Sequence, residues 1–381
     1  MRLLILNYEY PPLGGGAGVC SRYQAEGLAR LGHEVTVLTT WFRGEQEESR
    51  EGGLQLIRLR ARRKKPYRSN PLEMLSWVRK SRWYIKTHRL YERTDLVLAH
   101  FSIPGGLVAL PLKWRRGIPY LLITHGQDIP WFNPRELFAY HLLFYLPIRW
   151  ICRGASHISV LSEERLRDLN RILRGRKQPR KHIIPNGCDT NFFRPGTEKK
   201  DREVLRVLFT GRMTRQKDPF TLLKSLQILK QKGIPFTLDI VGNGPLLKKM
   251  QHYTEKHGLS KELSYSGWVG KQELLRKYQQ SHLMVISSLD EGMSLAMIEA
   301  LSTGLYVVTT PVSGSSMLIR ERLNGERFPF RDAARLAAIL ERYYRDKVSG
   351  AEALPLAALE EIRKEISWDH YVMAYHHLVQ S

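Results

Sequence analysis

The chain has 381 residues, of which 43% are hydrophobic and 10% aromatic, and it carries a formal net charge of +23 at pH 7. This length exceeds one ordinary core and fits two domains, and the apolar content is too high for a disordered protein. A positive charge of this size predicts an anionic binding partner.

Export and membrane spanning are both disfavoured. Residues 1–10 hold one short apolar run, which indicates a buried strand rather than a signal peptide. The most apolar later stretch, 137–152, contains a histidine, a proline and an arginine and is shorter than the ~20 residues of a membrane span. The three cysteines are far apart and in no metal-ligand spacing, which predicts free thiols in a reducing cytoplasm.

The opening of the chain predicts a βαβ unit. A strand (RLLILNY), a glycine-rich turn (PPLGGGAG), a helix (VCSRYQAEGLARLG) and a second strand (HEVTVLTT) follow one another. In the turn, Gly15 and Gly16 are expected to bring backbone N–H groups against phosphates. Val19 stands where the dinucleotide fingerprint needs its third glycine, which disfavours a nicotinamide cofactor.

A strongly basic window follows at 58–93, with thirteen Lys and Arg against two acids. A helix here would place its cations on one stripe and its apolar side chains on another, which predicts an interfacial helix at an anionic membrane. The alternative is a solvated basic helix packed on its own domain. The predicted cationic stripe, a membrane or acceptor face, is Arg79, Arg82, Lys86 and Arg89, and the apolar stripe is Met74, Val78 and Ile85.

Further strands at 95–99, 120–124 and 155–161 predict the parallel, doubly wound sheet of an N-terminal domain over 1–192. His125 directly follows the strand YLLIT, so we expect it at the carboxyl edge of the sheet, facing a cleft between the domains. A lone histidine is more often structural, but placement at a strand end favours function.

After a polar linker at 194–203 the same pattern restarts. Strands are predicted at 205–210, 237–241, 263–266, 283–287 and 306–309, alternating with helices. They predict a second doubly wound domain over 203–364, so the fold class is two facing Rossmann-like domains. Residues 365–381 have helical apolar spacing and are expected to form a last helix.

Four strand ends of the second domain carry candidate ligand-binding groups. Gly211 and Arg212 end the first strand, and Lys217 follows in the same loop, so both cations are positioned for a diphosphate. As an alternative, both are solvated loop residues. Asn243 and Gly244 lie in a glycine turn after the next strand.

The turn Gly267-Trp268-Val269 could lie along a flat base, and Val269 is the residue assigned to that contact. This turn and the Asn243 turn would look much the same without a ligand. They therefore carry weight only together with the other features.

The most specific segment is LDEGMSLAMIEALSTG, in which seven residues separate Glu291 from Glu299. This spacing allows two carboxylates to line one side of a site, with Glu299 accepting from ribose hydroxyls and Glu291 from sugar hydroxyls. The alternative is a helix-terminal charge at Glu291 and a surface carboxylate at Glu299. The backbone N–H groups expected to form an anion site at this helix start belong to Met293, Ser294 and Leu295, and Gly292 before them is counted among the ligand-binding residues.

In order and spacing these segments resemble the retaining glycosyltransferases of family 4 over nearly the whole chain. The resemblance implies that Arg212 and Lys217 hold a donor diphosphate, Glu299 the ribose and Glu291 the transferred sugar, with His125 near the anomeric centre. The matching segments are YPPLGGGAGV, THGQD, IIPNGCDTNFFRP, FTGRMTRQKDP, IVGNGP, YSGWV and DEGMSLAMIEALSTGLYVVTT.

The resemblance also implies the GT-B architecture, with a last helix that crosses back to the first domain. It implies no cofactor and no metal, in agreement with the absence of an Asp-x-Asp motif. Met293 departs from the family, which usually has Phe there. The implied activity is transfer of a hexose from a UDP- or GDP-sugar to a saccharide or lipid-linked acceptor in cell-envelope glycan synthesis, on the cytoplasmic face of the plasma membrane.

Other functions are compatible with the same architecture or with the same net charge. A nucleotide-sugar epimerase or a phosphorylase could share the fold, although no candidate for a phosphorylase's cofactor lysine is present. A basic nucleic-acid-binding or membrane-binding protein with a degenerate site would explain the charge, but no nucleic-acid-binding motif accompanies it.

Overall fold

The computed structural model describes residues 1–66, 69–131, 134–175, 178–197, 203–348 and 354–381. They form two compact α/β units: unit 1 is Met1–Asn186 with Trp368–Ser381, and unit 2 is Gly187–Ser367. The main sheet of each unit is almost wholly parallel, which confirms the predicted fold class of two α/β domains.

The division between the units comes earlier than the predicted residue 192. Cys188 lies in unit 2 because its N–H donates to the Ile366 carbonyl at 2.8 Å and it forms a bridge with Ser367. Of the predicted linker, residues 198–202 lie outside the described residues.

Unit 1 contains an eight-stranded sheet in the order β3-β4-β2-β1-β5-β6-β7-β8, in which β3 and β4 are antiparallel and the other neighbours parallel. The sequence reasoning missed β3, β4 and β8, since β3 and β8 are largely polar and β4 lies partly within the basic window. The strands are β1 Arg2–Leu6, β2 Glu34–Thr40, β3 Glu48–Glu51, β4 Leu54–Leu59, β5 Leu96–His100, β6 Tyr120–Ile123, β7 His157–Val160 and β8 Arg180–Ile183.

In the described part of unit 1, five α-helices connect these strands. They are α1 Gly16–Arg30, α2 Pro71–Thr87, α3 Leu107–Arg116, α4 Pro134–Gly154 and α5 Glu163–Ile172. One apolar core holds side chains of α2, α3 and α4 together with the sheet, including Trp77, Val108 and Ile151. The right-handed crossovers from β4 through β7 place these three helices on the same face of the sheet.

The structure corrects two predictions about α2. Its apolar stripe belongs to the core, with Val78 and Ile85 each 2% exposed, so the expectation that this stripe enters a membrane interface is wrong. The helix also ends at Thr87, and Arg89 follows it in left-handed conformation, 3.8 Å from Glu92, rather than on the helical stripe.

Unit 2 contains a six-stranded parallel sheet in the order β11-β10-β9-β12-β13-β14. Its strands are β9 Leu205–Thr210, β10 Phe236–Val241, β11 Leu263–Gly267, β12 Leu283–Ile286, β13 Tyr306–Thr309 and β14 Gly325–Arg327. Its helices are α6 Pro219–Gln231, α7 Leu247–Lys256, α8 Lys271–Gln280, α9 Leu295–Ser302, α10 Ser315–Leu318, α11 Ala333–Tyr343 and α12 Leu356–Glu365.

The last helix, α13 Trp368–Gln380, packs in unit 1. The Trp368 ring stacks on Tyr23 at 4.6 Å between ring centroids. A Cβ on Gly27 of α1 would lie 2.4 Å from Val372, so the glycine permits the close approach of these two helices.

The strand order reverses once in each sheet, between β1 and β5 in unit 1 and between β9 and β12 in unit 2. In doubly wound sheets ligands bind outside the carboxyl ends of the strands at such switch points, because the loops there run to opposite sides.

Candidate functional site

In unit 2 the loops that follow the neighbouring strands β9 and β10 are held together by their backbones. The Gly211 N–H donates to Val241 O at 2.9 Å, and the Met213 N–H donates to Asn243 O at 3.0 Å. A Cβ on Gly244 would lie 2.4 Å from the Met213 carbonyl oxygen. The small size of Gly244 is thus used by loop-to-loop packing, which fixes the loop after β9.

Lys217 and Glu291 form an ion pair between the loops after β9 and β12. Their side chains are only 19% and 11% exposed. The same Glu291 oxygen accepts from Ser288 Oγ at 2.7 Å, and the Lys217 side chain lies against Gly211, whose Cβ would be 3.2 Å from Lys217 Cε. The pair spans the switch point of the sheet, where an anion could be received.

The loop that carries Lys217 is tied to the second loop by further bonds. Ser287 Oγ lies 3.0 Å from the Lys217 carbonyl and 2.8 Å from the Asp218 carbonyl, and the Leu289 N–H donates to Gln216 O at 2.7 Å. The cation is therefore held on a braced turn rather than on a free loop.

Glu299 lies on α9 and accepts from the hydroxyl of the buried Tyr278 at 3.0 Å. Burial raises the pKa of Glu299 to about 7, opposed by the Tyr278 hydrogen bond and the charge of Lys271. Glu299 is half-buried, and its carboxyl group has further lone pairs that can accept a hydrogen bond from a hydroxyl group of a ligand. Its assignment to the ribose requires such an acceptor.

The start of α9 is shaped by Ser294, whose Oγ accepts from the Met297 N–H at 3.4 Å, and by Met293, which is 7% exposed. Gly314 permits this packing, since a Cβ there would lie 2.4 Å from Met293 Cε. Gly292 and Leu295 flank these residues and are half-buried. The positive end of the α9 dipole thus lies beside Glu291 in the chain.

The remaining predicted residues of unit 2 are more open. Arg212 is exposed, and among the described residues no carboxylate pairs with it. Asn243 is exposed, with its Oδ1 accepting from the Gly244 N–H at 2.7 Å. Val269 is half-buried and Trp268 is 69% exposed. Of these side chains, Arg212 is accessible to a ligand.

In unit 1 the glycine turn lies at the end of β1, at the switch point. Gly14 has a φ of +89°, and its N–H donates to the Pro66 carbonyl at 3.0 Å. Gly15 precedes the first turn of α1, which begins at Gly16, and a Cβ on Gly15 would meet nothing within 4 Å. The backbone at Gly15 is therefore open to a ligand.

His125 follows β6 and is joined to a residue that the sequence reasoning missed. Its Nε2 lies 3.0 Å from Nδ1 of His100, which ends the neighbouring β5, and His100 Nε2 lies 2.9 Å from Gln24 Oε1 of α1. Burial lowers the pKa of His125 to about 3 and that of His100 well below its ordinary value. Both rings are neutral at pH 7.

This chain of bonds couples the tautomers of the two rings. With Gln24 Oε1 as acceptor, His100 carries its proton on Nε2 and accepts at Nδ1, so His125 donates from Nε2 and keeps its own Nδ1 as an acceptor. Asp128 holds the backbone here by accepting from the N–H groups of His125 at 2.9 Å and Ser102 at 2.8 Å.

Sequence reasoning found the strand-end residues but missed the partners that hold them. One signal was present, since His100 stands one residue beyond the predicted strand 95–99, at a carboxyl edge like His125. Tyr278 and Gln24 lie on segments that the patterns gave no reason to connect with Glu299 and His100. Within the described ranges, no three His, Cys, Asp or Glu side chains cluster as metal ligands would.

Two family models match the chain in sequence. The model described as Glycosyltransferase Family 4 matches residues 14–192, and the model described as Glycosyl transferases group 1 matches residues 190–360. Together they cover both sets of strand-end loops.

Curated relatives include the amylovoran biosynthesis glycosyltransferase AmsK of Erwinia amylovora, 25% identical over 75% of this chain and 69% of the relative. The UDP-Gal:alpha-D-GlcNAc-diphosphoundecaprenol alpha-1,3-galactosyltransferase of Escherichia coli is 30% identical over 44% of this chain and 46% of its own. Homologues of the chain thus act in cell-envelope polysaccharide biosynthesis.

Solved structures show the same fold. Sucrose-phosphate synthase from Thermosynechococcus elongatus superposes with a TM-score of 0.85 at 18% identity, covering 100% of this chain and 98% of that one. HepE of Anabaena in complex with UDP-glucose superposes with a TM-score of 0.73 at 16% identity, covering 100% and 99%. Both comparisons support the GT-B architecture.

Replacement of Glu299 by Gln should change how unfolding depends on pH. Because the pKa of folded Glu299 is raised, its contribution to stability is fully present below about pH 4.5 and lost as pH rises through about 7. Relative to wild type, Glu299→Gln should gain a few degrees in thermal midpoint, about 2–6 °C, between pH 5 and pH 8. The exposed carboxylate variant Glu255→Gln is the control, and a pH-independent difference for Glu299→Gln would contradict the burial argument.

Replacement of Gln24 by Leu should change the ring state of His125, because it removes the acceptor that orients His100. In protein labelled with ¹⁵N-histidine, wild-type His125 should show a protonated Nε2 and an unprotonated Nδ1. Gln24→Leu should alter these ring-nitrogen shifts. The control Gln127→Leu, which replaces an exposed side chain in the loop that carries His125, should leave them unchanged. Identical His125 shifts in Gln24→Leu would show that the coupling is absent.

Proposed function

Because the chain belongs to glycosyltransferase family 4, we propose that it is a retaining hexosyltransferase that uses a UDP- or GDP-linked sugar. The acceptor in this proposal is a saccharide or a lipid-linked saccharide of cell-envelope glycan synthesis. The named relatives support that setting, and the UDP-glucose complex of a structural neighbour supports a nucleotide-sugar donor.

The observation that carries the proposal is the pairing of Lys217 with Glu291 across the switch point of unit 2. A lysine held on a braced turn can receive the donor diphosphate, while Arg212, exposed in the same loop, supplies a planar fork to its oxygens. Glu291, kept in place by Ser288, is assigned to the hydroxyls of the sugar, and Glu299 to the ribose.

The proposed chemistry is displacement on one face of the sugar without a metal. The bond between the anomeric carbon and the diphosphate oxygen breaks while the acceptor oxygen bonds to the same face, and the departing diphosphate takes the acceptor proton. Arg212 and Lys217 stabilise the negative charge that grows on the diphosphate. Neutral His125 is assigned to hydrogen bonding with the sugar, where it orients without adding charge.

We also propose that unit 1 associates with an anionic membrane through α4, on the cytoplasmic side. No helix among the described residues is long and apolar enough to cross a bilayer. From residue 137 onward α4 has no acid, and it presents a row of exposed apolar side chains, each at least 55% exposed: Phe138, Leu142, Leu143, Leu146 and Trp150. Such a face, on a helix that packs against the cationic α3, matches the interface of an anionic leaflet.

Loss of Lys217 should abolish sugar transfer while the fold is kept. A thermal-shift screen of nucleoside-diphosphate sugars selects the donor, and product analysis with labelled donor then measures transfer and separates it from epimerisation or phosphorolysis. Lys217→Ala should lower turnover by about 10²-fold or more, in the range seen for single charge-stabilising donors. Lys224→Ala, an exposed cation of α6, should retain it, and wild-type rates in Lys217→Ala would contradict the proposal.

Vesicle binding should depend on the apolar row of α4. Wild-type protein should sediment with phosphatidylglycerol vesicles more than with phosphatidylcholine vesicles, and less at high salt. Leu142→Ser/Leu146→Ser should weaken the binding by at least about tenfold. Two leucines that become buried in the membrane interface contribute several kcal/mol to binding. The matched variant Leu31→Ser/Leu356→Ser should bind normally. Equal sedimentation with both lipids would contradict the membrane proposal.

A further inference from the structure

A cavity of about 370 Å³ opens between α2 and α3 of unit 1, away from the strand-end loops of the candidate site. Arg115 and Arg116 end α3, before β6, whereas His125 follows β6, so the cavity lies toward the opposite edge of the sheet. Its walls carry four cationic side chains, from Arg82, Lys86, Arg115 and Arg116.

These cations are not neutralised by the protein. No acidic residue lines the cavity, and within the described part of the chain none of the four forms an ion pair. The nearby Glu92 is placed against Arg89 instead. Four like charges around one cavity are unfavourable unless an anion joins them.

Two of the four side chains are held in position without losing their charge. Arg82 donates to the carbonyl of Leu107, and the Arg116 guanidinium lies 4.1 Å from the centroid of the Tyr91 ring. Burial and the charge of Arg115 both lower the pKa of Arg82, in line with a site that has cations close together and no counterion. Arg82 and Arg116 are thus held in position by the protein itself, before an anion binds.

The floor of the cavity is apolar. Ile85 and Val108 are 2% and 1% exposed, and Leu112 lies beside them. At the mouth the Trp83 side chain is 60% exposed and separates the cavity from a second groove of about 590 Å³, which is lined by the exposed Leu72 and Leu75 together with further cations. A small hydrated anion would gain nothing from these apolar surfaces.

We propose that this cavity binds a phosphate group carried on an apolar chain. The four cations receive the phosphate oxygens, and the apolar floor and the groove past Trp83 receive the start of the chain. The chemistry is shared by a phospholipid of the bilayer and by a lipid-linked saccharide. The inference rests on the proposed function only for the presence of such an amphiphile near the protein.

The test is calorimetric titration of the full chain with soluble probes. Dihexanoyl phosphatidate offers phosphate and chain together, inorganic phosphate offers the anion alone, and geranyl phosphate offers a prenyl chain. Lys86→Gln/Arg115→Gln removes two cations whose side chains form no hydrogen bond or ion pair with the described residues. Arg43→Gln/Arg50→Gln makes the same charge change elsewhere in unit 1.

We expect at least one of the two chain-bearing phosphates to bind at least about tenfold more tightly than inorganic phosphate, and the Lys86→Gln/Arg115→Gln variant to lose at least about tenfold in that affinity. Preference for geranyl phosphate would identify the lipid-linked saccharide as the source, and preference for phosphatidate the bilayer. Equal affinity for inorganic phosphate, unchanged affinity in the cavity variant, or equal loss in the control variant would overturn the proposal. Tighter binding of a short oligonucleotide than of either lipid phosphate would do so as well.

Because no donor sugar is present, these outcomes do not depend on whether transfer occurs. Affinity for both chain-bearing phosphates that is unchanged in Lys86→Gln/Arg115→Gln, beside vesicle binding that is lost with the α4 leucines, would leave the membrane proposal standing and contradict the cavity alone. Failure of the cavity is thus distinguishable from failure of the proposed function.

Discussion

The ion pair between Lys217 and Glu291 is the interaction on which the rest of the account depends. It joins the loops after β9 and β12, where the strand order of unit 2 reverses and the loops run to opposite sides of the sheet. Each partner alone would be a half-buried charge, which is costly, so each loop keeps the other in place. Under the proposed function, the donor diphosphate meets a lysine whose position is already set, so its binding needs little reordering.

Unit 1 follows the same rule at its own switch point with neutral groups in place of charges. The turn at Gly15 follows β1, and the bonded rings of His100 and His125 follow β5 and β6. Burial keeps both rings uncharged, so this end of the sheet offers directed hydrogen bonds rather than a cation. The two sheets thus carry different groups at equivalent places, a charged pair in unit 2 and neutral rings in unit 1.

The sequence was informative wherever a local pattern decides the structure. Buried strand runs located β9 and β13 to the residue, and a polar residue after a strand run located His125 and Lys217, because strand ends share one edge of a parallel sheet. Partners set by tertiary packing were not predictable. Tyr278 reaches Glu299 from α8, and Gln24 reaches His100 from a helix 76 residues earlier. The prediction for the apolar stripe of α2 was wrong for a related reason. Periodicity shows that a stripe exists, but not whether it packs in a core or enters a membrane.

The central claim, that the strand-end loops of unit 2 hold a nucleotide sugar, is tested most directly by a crystal structure of the chain with the nucleoside diphosphate of its donor. We predict diphosphate oxygens within hydrogen-bond distance of Arg212 and Lys217, and a ribose hydroxyl donating to Glu299. A diphosphate bound away from the Lys217–Glu291 pair, or a ribose that does not touch Glu299, would contradict it.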